Sequence, residues 1–531
     1  MARTPASART SAAPIPCAQR SIALADAPAE GADHPRVAAL DLGSNSFHLV
    51  LASIERGTPH VYDRRRERVA LGSGLRDGRP LDRAARARAI ACLERFAELV
   101  RPLPVGRVRV VGTDSLRRAS DGPELVARAE TLLGHRVKIV PGPEEARLVW
   151  RGVSAMHPPA ARERRLVVDV GGGSTELVTG TGWTTREAHS TPMGCIRFTE
   201  RFFPGARISR KRYERARDAA MLELRPFAAR LRAPGIDRVL GSSGTMRAIG
   251  DIVEARGDAA RGTITRRGVD ALIEKVCDAD TLADIDVEGL ADERRPVLPG
   301  GLAIVDAVMR TFDLGSIDVA DGALREGLLM ELVGRLESDD VRDDTIAAFR
   351  ARHGIDAAHA RRVRATAEAL FDAVASDWDL GDVELRRWLG WAAELHELGL
   401  SVSRSGVARH GAYLVANADA PGFSRDELEA VATLVRTHRG RLDRDMFEPT
   451  RRGSRRALKR LAVLLRIAVA LHADRAAVTA IPSARAARRA VELTVPREWI
   501  ASRSLVAADL AAHAAQIQRI GLELEIRTAE G

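Results

Sequence analysis

The chain has 531 residues, 82 Lys plus Arg against 72 Asp plus Glu, and a formal net charge of +10. That length gives room for three or four domains with ample cores, and 45% hydrophobic residues exclude a disordered polymer although aromatics make up only 4%. The cationic surplus suits a polyanionic partner, and equally a surface of solvated arginines. Cys17, Cys92, Cys195 and Cys277 form no C-x-x-C pair, which excludes a zinc ribbon or a disulfide scaffold and makes a reducing cytoplasm the expected compartment.

In chain order, residues 1–34 are rich in Ala, Pro and Ser without apolar periodicity, which predicts a disordered arm with no secretory signal. A first α/β domain is expected over 35–148. It contains the hairpin VAALDLGSNSFHLVLA, a polar arm from Tyr62 to Val69, a helix from Asp82 to Leu99, the strand RVRVVGT, a helix from Pro123 to Leu133, and the strand VKIV. Strands alternating with helices predict a mostly parallel, helix-covered sheet. A second α/β domain is expected over 149–336, a helical domain over 337–474, and a small α/β domain over 475–531 with strands AVELTVP and LELEIR around a helix from Ser504 to Gln518. The most apolar late segment, Leu461 to Ala473, is too short to span a bilayer and is broken by Arg466, so no membrane helix is expected; peripheral association with a membrane stays open.

The most informative stretch is RLVVDVGGGSTELV, Arg165 to Val178. A β-branched run leads to Asp169, then three glycines, then Ser174, Thr175 and Glu176 before the apolar pattern resumes. This predicts a hairpin whose glycine tip gathers backbone N–H groups into a concavity suited to phosphate oxygens. Asp169 and Glu176 offer the hard oxygen ligands that suit Mg²⁺. The spacing D-x-G-x-x-S-x-x-L-V occurs twice, with Asp41, Gly43, Ser46, Leu49 and Val50 answering Asp169, Gly171, Ser174, Leu177 and Val178. Two such hairpins imply two related halves facing one cleft.

These motifs, with GTDSLRRA, PGPEEARLVWRGV, GSSGTMRAI, LPGGLAIVDAV and VADGALREGLL, resemble the Ppx/GppA family of exopolyphosphatases and guanosine pentaphosphate phosphatases. The resemblance runs from about residue 36 onward. It implies two actin/Hsp70-like, ribonuclease H-like phosphotransferase domains, then an all-α HD-like domain and the small α/β domain. It also implies a divalent cation, Mg²⁺ or another, with K⁺ as a further candidate, and a homodimer.

Phosphoanhydride hydrolysis needs a cation, donors that hold the phosphate in line, and a base that orients water. The metal candidates are Asp169 and Glu176, with Asp41 as a water-mediated third ligand. The phosphate grip is expected from Gly43, Ser44, Asn45 and Ser46, and from Gly171, Gly172, Gly173, Ser174 and Thr175. The resemblance adds Arg117 from DSLRR and Arg294 from ADERR, where Arg295 is an adjacent alternative. Physical chemistry does not choose between Glu144 and Glu145 at a helix start; the resemblance assigns the base to Glu145. Cys195 reads as structural or wall-forming, and GSSGT, Gly241 to Thr245, as structural support.

The helical domain resembles HD-type metal phosphohydrolases, with departures. His359 and His396 fit the pattern, but Glu397 stands where Asp is expected, Val469 occupies the place of the final Asp, and Asp474 is out of register. An inactive HD-like fold is therefore expected. Its use would be binding, through Arg404, Arg409, His410, Arg436, His438, Arg439, Arg451, Arg452, Arg455, Arg456 and Lys459, if these line a channel for a polyphosphate chain.

The reading is a cytoplasmic exopolyphosphatase acting on inorganic polyphosphate. The nearest rival is a guanosine pentaphosphate (pppGpp) 5′-phosphohydrolase using the same cleft. A non-catalytic polyphosphate or nucleotide sensor is the rival of another class, and a sugar-kinase-like activity is the rival on fold alone. No DNA partner is expected, because no nucleic-acid reading module is present.

Overall fold

The computed structural model describes residues 22–24, 35–55, 57–73, 75–232, 235–336, 340–475 and 483–529. The chain divides into two units, Met1–Asp340 and Val341–Gly531.

The first unit contains two sheets of like construction. One holds β1 (Ala23–Leu24), β2 (Arg36–Leu42), β3 (Ser46–Glu55), β4 (Thr58–Arg68), β5 (Val108–Gly112) and β6 (Val137–Ile139), in the order β1-β4-β3-β2-β5-β6. The other holds β7 (Arg164–Val170), β8 (Thr175–Thr181), β9 (Thr184–Thr191), β10 (Arg238–Ser242), β11 (Thr263–Thr265) and β12 (Ser316–Val319), in the order β11-β12-β10-β7-β8-β9. In each, an antiparallel three-strand meander is joined through its first strand to parallel neighbours: β2 to β5, β7 to β10. The central strands are almost wholly buried, as their continuous Val, Ala and Leu runs require of a sheet covered on both faces.

Two expectations are corrected. The polar arm Tyr62 to Val69 falls largely in strand β4, whose run of arginines masks the strand pattern because it is solvated along Arg64 to Arg66. The arm over 1–34 contributes β1, which pairs with the open edge of β4 while the apolar Ile22 packs into the core; residues 1–21 and 25–34 lie outside the described set.

Two helices exchange lobes. Gly142–Met156 follows the first sheet but packs on β8 and β9, and Leu324–Leu336 follows the second sheet but packs on β2 and β3. The 148/149 boundary read from sequence therefore falls inside a continuous helix. Where the two helices cross, only glycine allows the contact. A Cβ at Gly152 would stand 2.0 Å from the Ala323 carbonyl oxygen, and one at Gly327 would stand 1.9 Å from that of Leu148. Around them, one core takes side chains from both sheets, including Val37, Val50, Val167 and Val178.

The second unit is helical, with a small sheet of β13 (Ser483–Ala486), β14 (Ala490–Pro496) and β15 (Glu523–Ala529) in the order β13-β14-β15. Its alternating Val491, Leu493 and Val495 enter the same core as Leu389, Leu434 and Leu464 of the helices, so sheet and helices share one interior. Among the described residues, no helix is long and apolar enough to cross a membrane.

Candidate active site

The tips of the β2–β3 and β7–β8 hairpins face each other across a cleft of about 470 Å³. Neighbouring segments hold the carbonyls of both tips. Ser44 O accepts from Gly72 N–H at 2.8 Å, and Asn45 O accepts from the N–H groups of Val69 and Ala70 at 3.0 and 2.8 Å. Gly171 O accepts from Cys195 N–H at 2.9 Å, and Gly172 O from the N–H groups of Ile196 and Arg197 at 3.1 and 3.3 Å. In a planar trans peptide the following N–H points the opposite way, so the amides of Asn45, Ser46, Gly172 and Gly173 turn away from those segments. That orientation is the one an anion-binding concavity at a glycine tip requires. The approach is close: a Cβ at Gly172 would lie 3.2 Å from Ser44 Cβ, and one at Gly173 would lie 2.1 Å from Asp114 Oδ2.

Strand register brings the carboxylates together. Asp169 lies directly opposite Glu176 on β7 and β8, and Asp41 occupies the matching place on β2. Asp41, Glu145, Asp169 and Glu176 all line the cleft. Burial pushes the Asp169 carboxyl up to about 6 against the opposing effects of Ser242 and Arg325. Asp41 and Glu176 are held well above the usual carboxylate range, first by burial and then by the charge of Glu145. Asp41 Oδ1 is buried without a hydrogen-bond partner, and Ser190 Oγ donates to Glu176 Oε1 at 2.8 Å. Crowded, acceptor-only oxygens of this kind fit a hard divalent cation.

The adjacent glutamates at the start of the crossing helix diverge. Glu144 takes a two-pronged ion pair from Arg147, both contacts 2.7 Å, and Arg147 reaches on to Glu331 at 2.8 Å on the other crossing helix. Glu331 also receives Arg109 and Arg335 at 3.1 and 2.7 Å. This buried network fixes the rotation of the helix about its axis, and Glu145 is thereby turned into the cleft. Arg117 Nη1 donates to Glu145 Oε2 at 2.9 Å and to Val140 O at 2.7 Å. Burial raises the Glu145 carboxyl, and Arg117 opposes the rise.

Of the remaining sequence candidates, Gly43, Ser44, Asn45, Ser46, Gly171, Gly172, Gly173, Ser174 and Arg294 line the cleft. Arg294 lies so close over the backbone that a Cβ at Gly244 would stand 1.9 Å from its Nη2, whereas Arg295 turns away to Asp292 at 2.8 Å. Two candidates sit elsewhere. Arg117 lies behind Glu145 as its partner, and Thr175 is fully buried with Oγ1 donating to Met193 O at 2.5 Å, so that hydroxyl serves the fold. The GSSGT loop, expected as support, contributes Ser242, Ser243, Gly244 and Thr245 to the cleft wall, and Cys195 is there too.

Sequence reasoning missed His48, Arg64, Arg66, Arg247 and Arg325, all of which line the cleft. His48 Nδ1 lies 3.2 Å from Arg325 Nη1. Arg325, Arg247 and His48 sit in the quoted stretches VADGALREGLL, GSSGTMRAI and VAALDLGSNSFHLVLA, which were the available signals. The others converge only through tertiary structure.

In the second unit, His359, His396 and Glu397 come together, while Asp474 faces away and pairs with Arg503 at 3.1 Å. The basic cluster does not form one lining. His438 is buried, Arg451 pairs with Asp426, and Arg455 donates to Thr450 O; among those whose side chains are described, only His438 and Arg439 line the cavity of this unit. A sequence run of arginines spans several helix faces, which local spacing does not reveal.

Two solved structures with a TM-score of 0.50 share the fold of a little over half of this chain. An exopolyphosphatase from Cytophaga hutchinsonii has a TM-score of 0.50 at 22% identity, covering 56% of this chain and 98% of its own. An exopolyphosphatase-like protein also has 0.50, at 24% identity, covering 57% of this chain and 99% of its own. The PPX-GPPA enzyme of Aquifex aeolicus has 0.47 at 26% identity, covering 56% and 99%. The family profile of the Ppx/GppA phosphatases matches residues 50–336, the profile of their domain III matches 341–514, and the chain belongs to the Ppx/GppA phosphatase family.

Proposed function

We propose that this protein hydrolyses the terminal orthophosphate from inorganic polyphosphate, with Glu145 activating the attacking water. The observation that carries the reading is the position of Glu145: a buried carboxylate with a raised pKa, held by Arg117, opening on the cleft that both glycine tips share. Ionised Glu145 accepts a hydrogen bond from water, orients it, and takes its proton as the oxygen attacks phosphorus. The amides of the two tips grip the terminal phosphoryl group. Arg64, Arg66, Arg247, Arg294 and Arg325 on the cleft wall meet the charge of a phosphate chain.

Asp169 and Glu176, with Asp41 beyond, are the residues that would hold Mg²⁺, which when bound neutralises phosphoryl oxygens as charge shifts to the leaving group. The arginine-lined wall favours a long polyanion over a single nucleotide head, although a pentaphosphate end presents the same terminal group.

The test is orthophosphate release, with Mg²⁺, from long-chain polyphosphate and from guanosine pentaphosphate in parallel. Faster turnover of polyphosphate is expected, with kcat reduced about 10²- to 10⁴-fold in Glu145→Gln. Preference for the nucleotide would move the assignment to a guanosine pentaphosphate phosphohydrolase. Binding of either without hydrolysis would make the protein a sensor.

A further inference from the structure

The second unit holds an open cavity of about 890 Å³ that the chemistry proposed above does not use. Five imidazoles line it, and four of them are buried: His359 in the first turn of Ala357–Val374, and His396, His438 and His472, each the residue that ends a helix; the fifth, His513, is half-buried. The rings form a chain, with centroids 6.4 Å apart from His472 to His359, 5.5 Å from His359 to His396, and 5.5 Å from His396 to His438.

Hydrogen bonding settles where the lone pairs lie. His396 Nδ1 is 2.7 Å from Ala393 O, and His438 Nδ1 is 2.7 Å from Val435 O. A ring nitrogen facing a carbonyl carries the proton, which leaves Nε2 with its lone pair. This is the outer-shell arrangement that orients metal-binding histidines. His359 is 4% exposed, and its Nδ1 has no hydrogen-bond partner. A buried imidazole atom without a partner costs stability unless a ligand satisfies it. Glu397 Oε1 lies 4.0 Å from His359 Nε2, and His359, His396 and Glu397 each offer a donor atom within 4.8 Å of the others.

We propose that His359, His396 and Glu397 bind a divalent first-row transition-metal ion, with His438 and His472 flanking it. Two imidazoles and one carboxylate suit Zn²⁺, Fe²⁺ or Co²⁺ rather than Mg²⁺. Ligands on a tetrahedral ion stand about 3.3 Å apart, so the donors draw together by about an ångström on binding. Both rings are buried, which disfavours a charged imidazolium and leaves them able to coordinate. Arg475 now pairs with Glu397, and its side chain is half exposed. Its guanidinium competes with the ion for that carboxylate, and its departure opens the site to the cavity.

The test is titration of the full chain with Co²⁺ in saturating Mg²⁺, read by visible d–d absorption and by metal content after desalting. One equivalent with a low-symmetry spectrum is expected, absent in His359→Ala/His396→Ala and retained in Asp169→Asn/Glu176→Gln. Arg475→Ala, at a partly exposed position, should bind Co²⁺ several-fold more tightly, a gain that misfolding does not produce. No stoichiometric Co²⁺, binding that follows the cleft carboxylates instead, or binding unchanged in Arg475→Ala would each overturn the proposal.

Discussion

In the first hairpin Asp41 faces His48 across the strands, and in the second Asp169 faces Glu176. Strand register is alike, but the anchored carbonyls are offset by one place, Ser44 and Asn45 against Gly171 and Gly172, and the first tip carries Ser44 and Asn45 where the second carries Gly172 and Gly173; beside these, the tips differ in the residue opposite the aspartate. Burial, followed by the charge of Arg325, holds His48 well below its ordinary pKa, so it is neutral and presents an acceptor to Arg325. Glu176 instead adds a second carboxylate beside Asp169. Under the proposed function one tip would meet substrate through arginine and the other through a cation-binding pair, so that a duplicated fold would grip one anion from two chemically distinct sides.

Breaking the acidic side should have the larger effect. Glu176→Gln removes a ligand but keeps the shape, and orthophosphate release is expected to fall by at least about 100-fold, equivalent to about 3 kcal/mol of lost charge stabilisation. Gly173→Ala forces the loop away from Asp114, and a displacement of that order should lower kcat by roughly tenfold to a hundredfold while the far-ultraviolet spectrum stays native.

The pH profile sharpens the contrast. Since burial raises the Glu145 carboxyl, activity is lost as pH falls through a value above that of an ordinary glutamate, because the protonated acid cannot accept a proton from water. Arg117 favours the ionised form, so Arg117→Met should move the acidic limb of kcat/KM to higher pH; a limb that stays in place would remove Glu145 from the role of base. The smallest effect is expected for His48→Gln, a rise in KM of a few-fold with kcat nearly kept, because only the orientation of Arg325 is disturbed.

What could be read from sequence follows from distance along the chain. Asp169, its glycines and Glu176 lie within one hairpin, so spacing alone predicts their proximity, and the repeat at Asp41 announces the second lobe. Glu145 could not be told from Glu144 because the distinction is rotational: the Arg147–Glu331 contact joins two helices nearly two hundred residues apart. His438 looked like part of a basic surface because its arginine neighbours are local, whereas its burial depends on the ends of separate helices meeting. Thr175 carries a hydroxyl in the right motif, but donating to the Met193 carbonyl consumes it.

The glycine contacts between Gly142–Met156 and Leu324–Leu336 have a mechanical consequence. Helices that interlock through side-chain ridges hold preferred crossing angles, and changing the angle means lifting knobs from holes. Where Gly152 and Gly327 meet carbonyl oxygens, smooth main chain touches smooth main chain. Such a crossing sets the separation of the helices at backbone distance, and the Arg147–Glu331 ion pair beside it ties one helix to the other, so the two sheets share one fixed joint. A single methyl group at either glycine would force that joint apart.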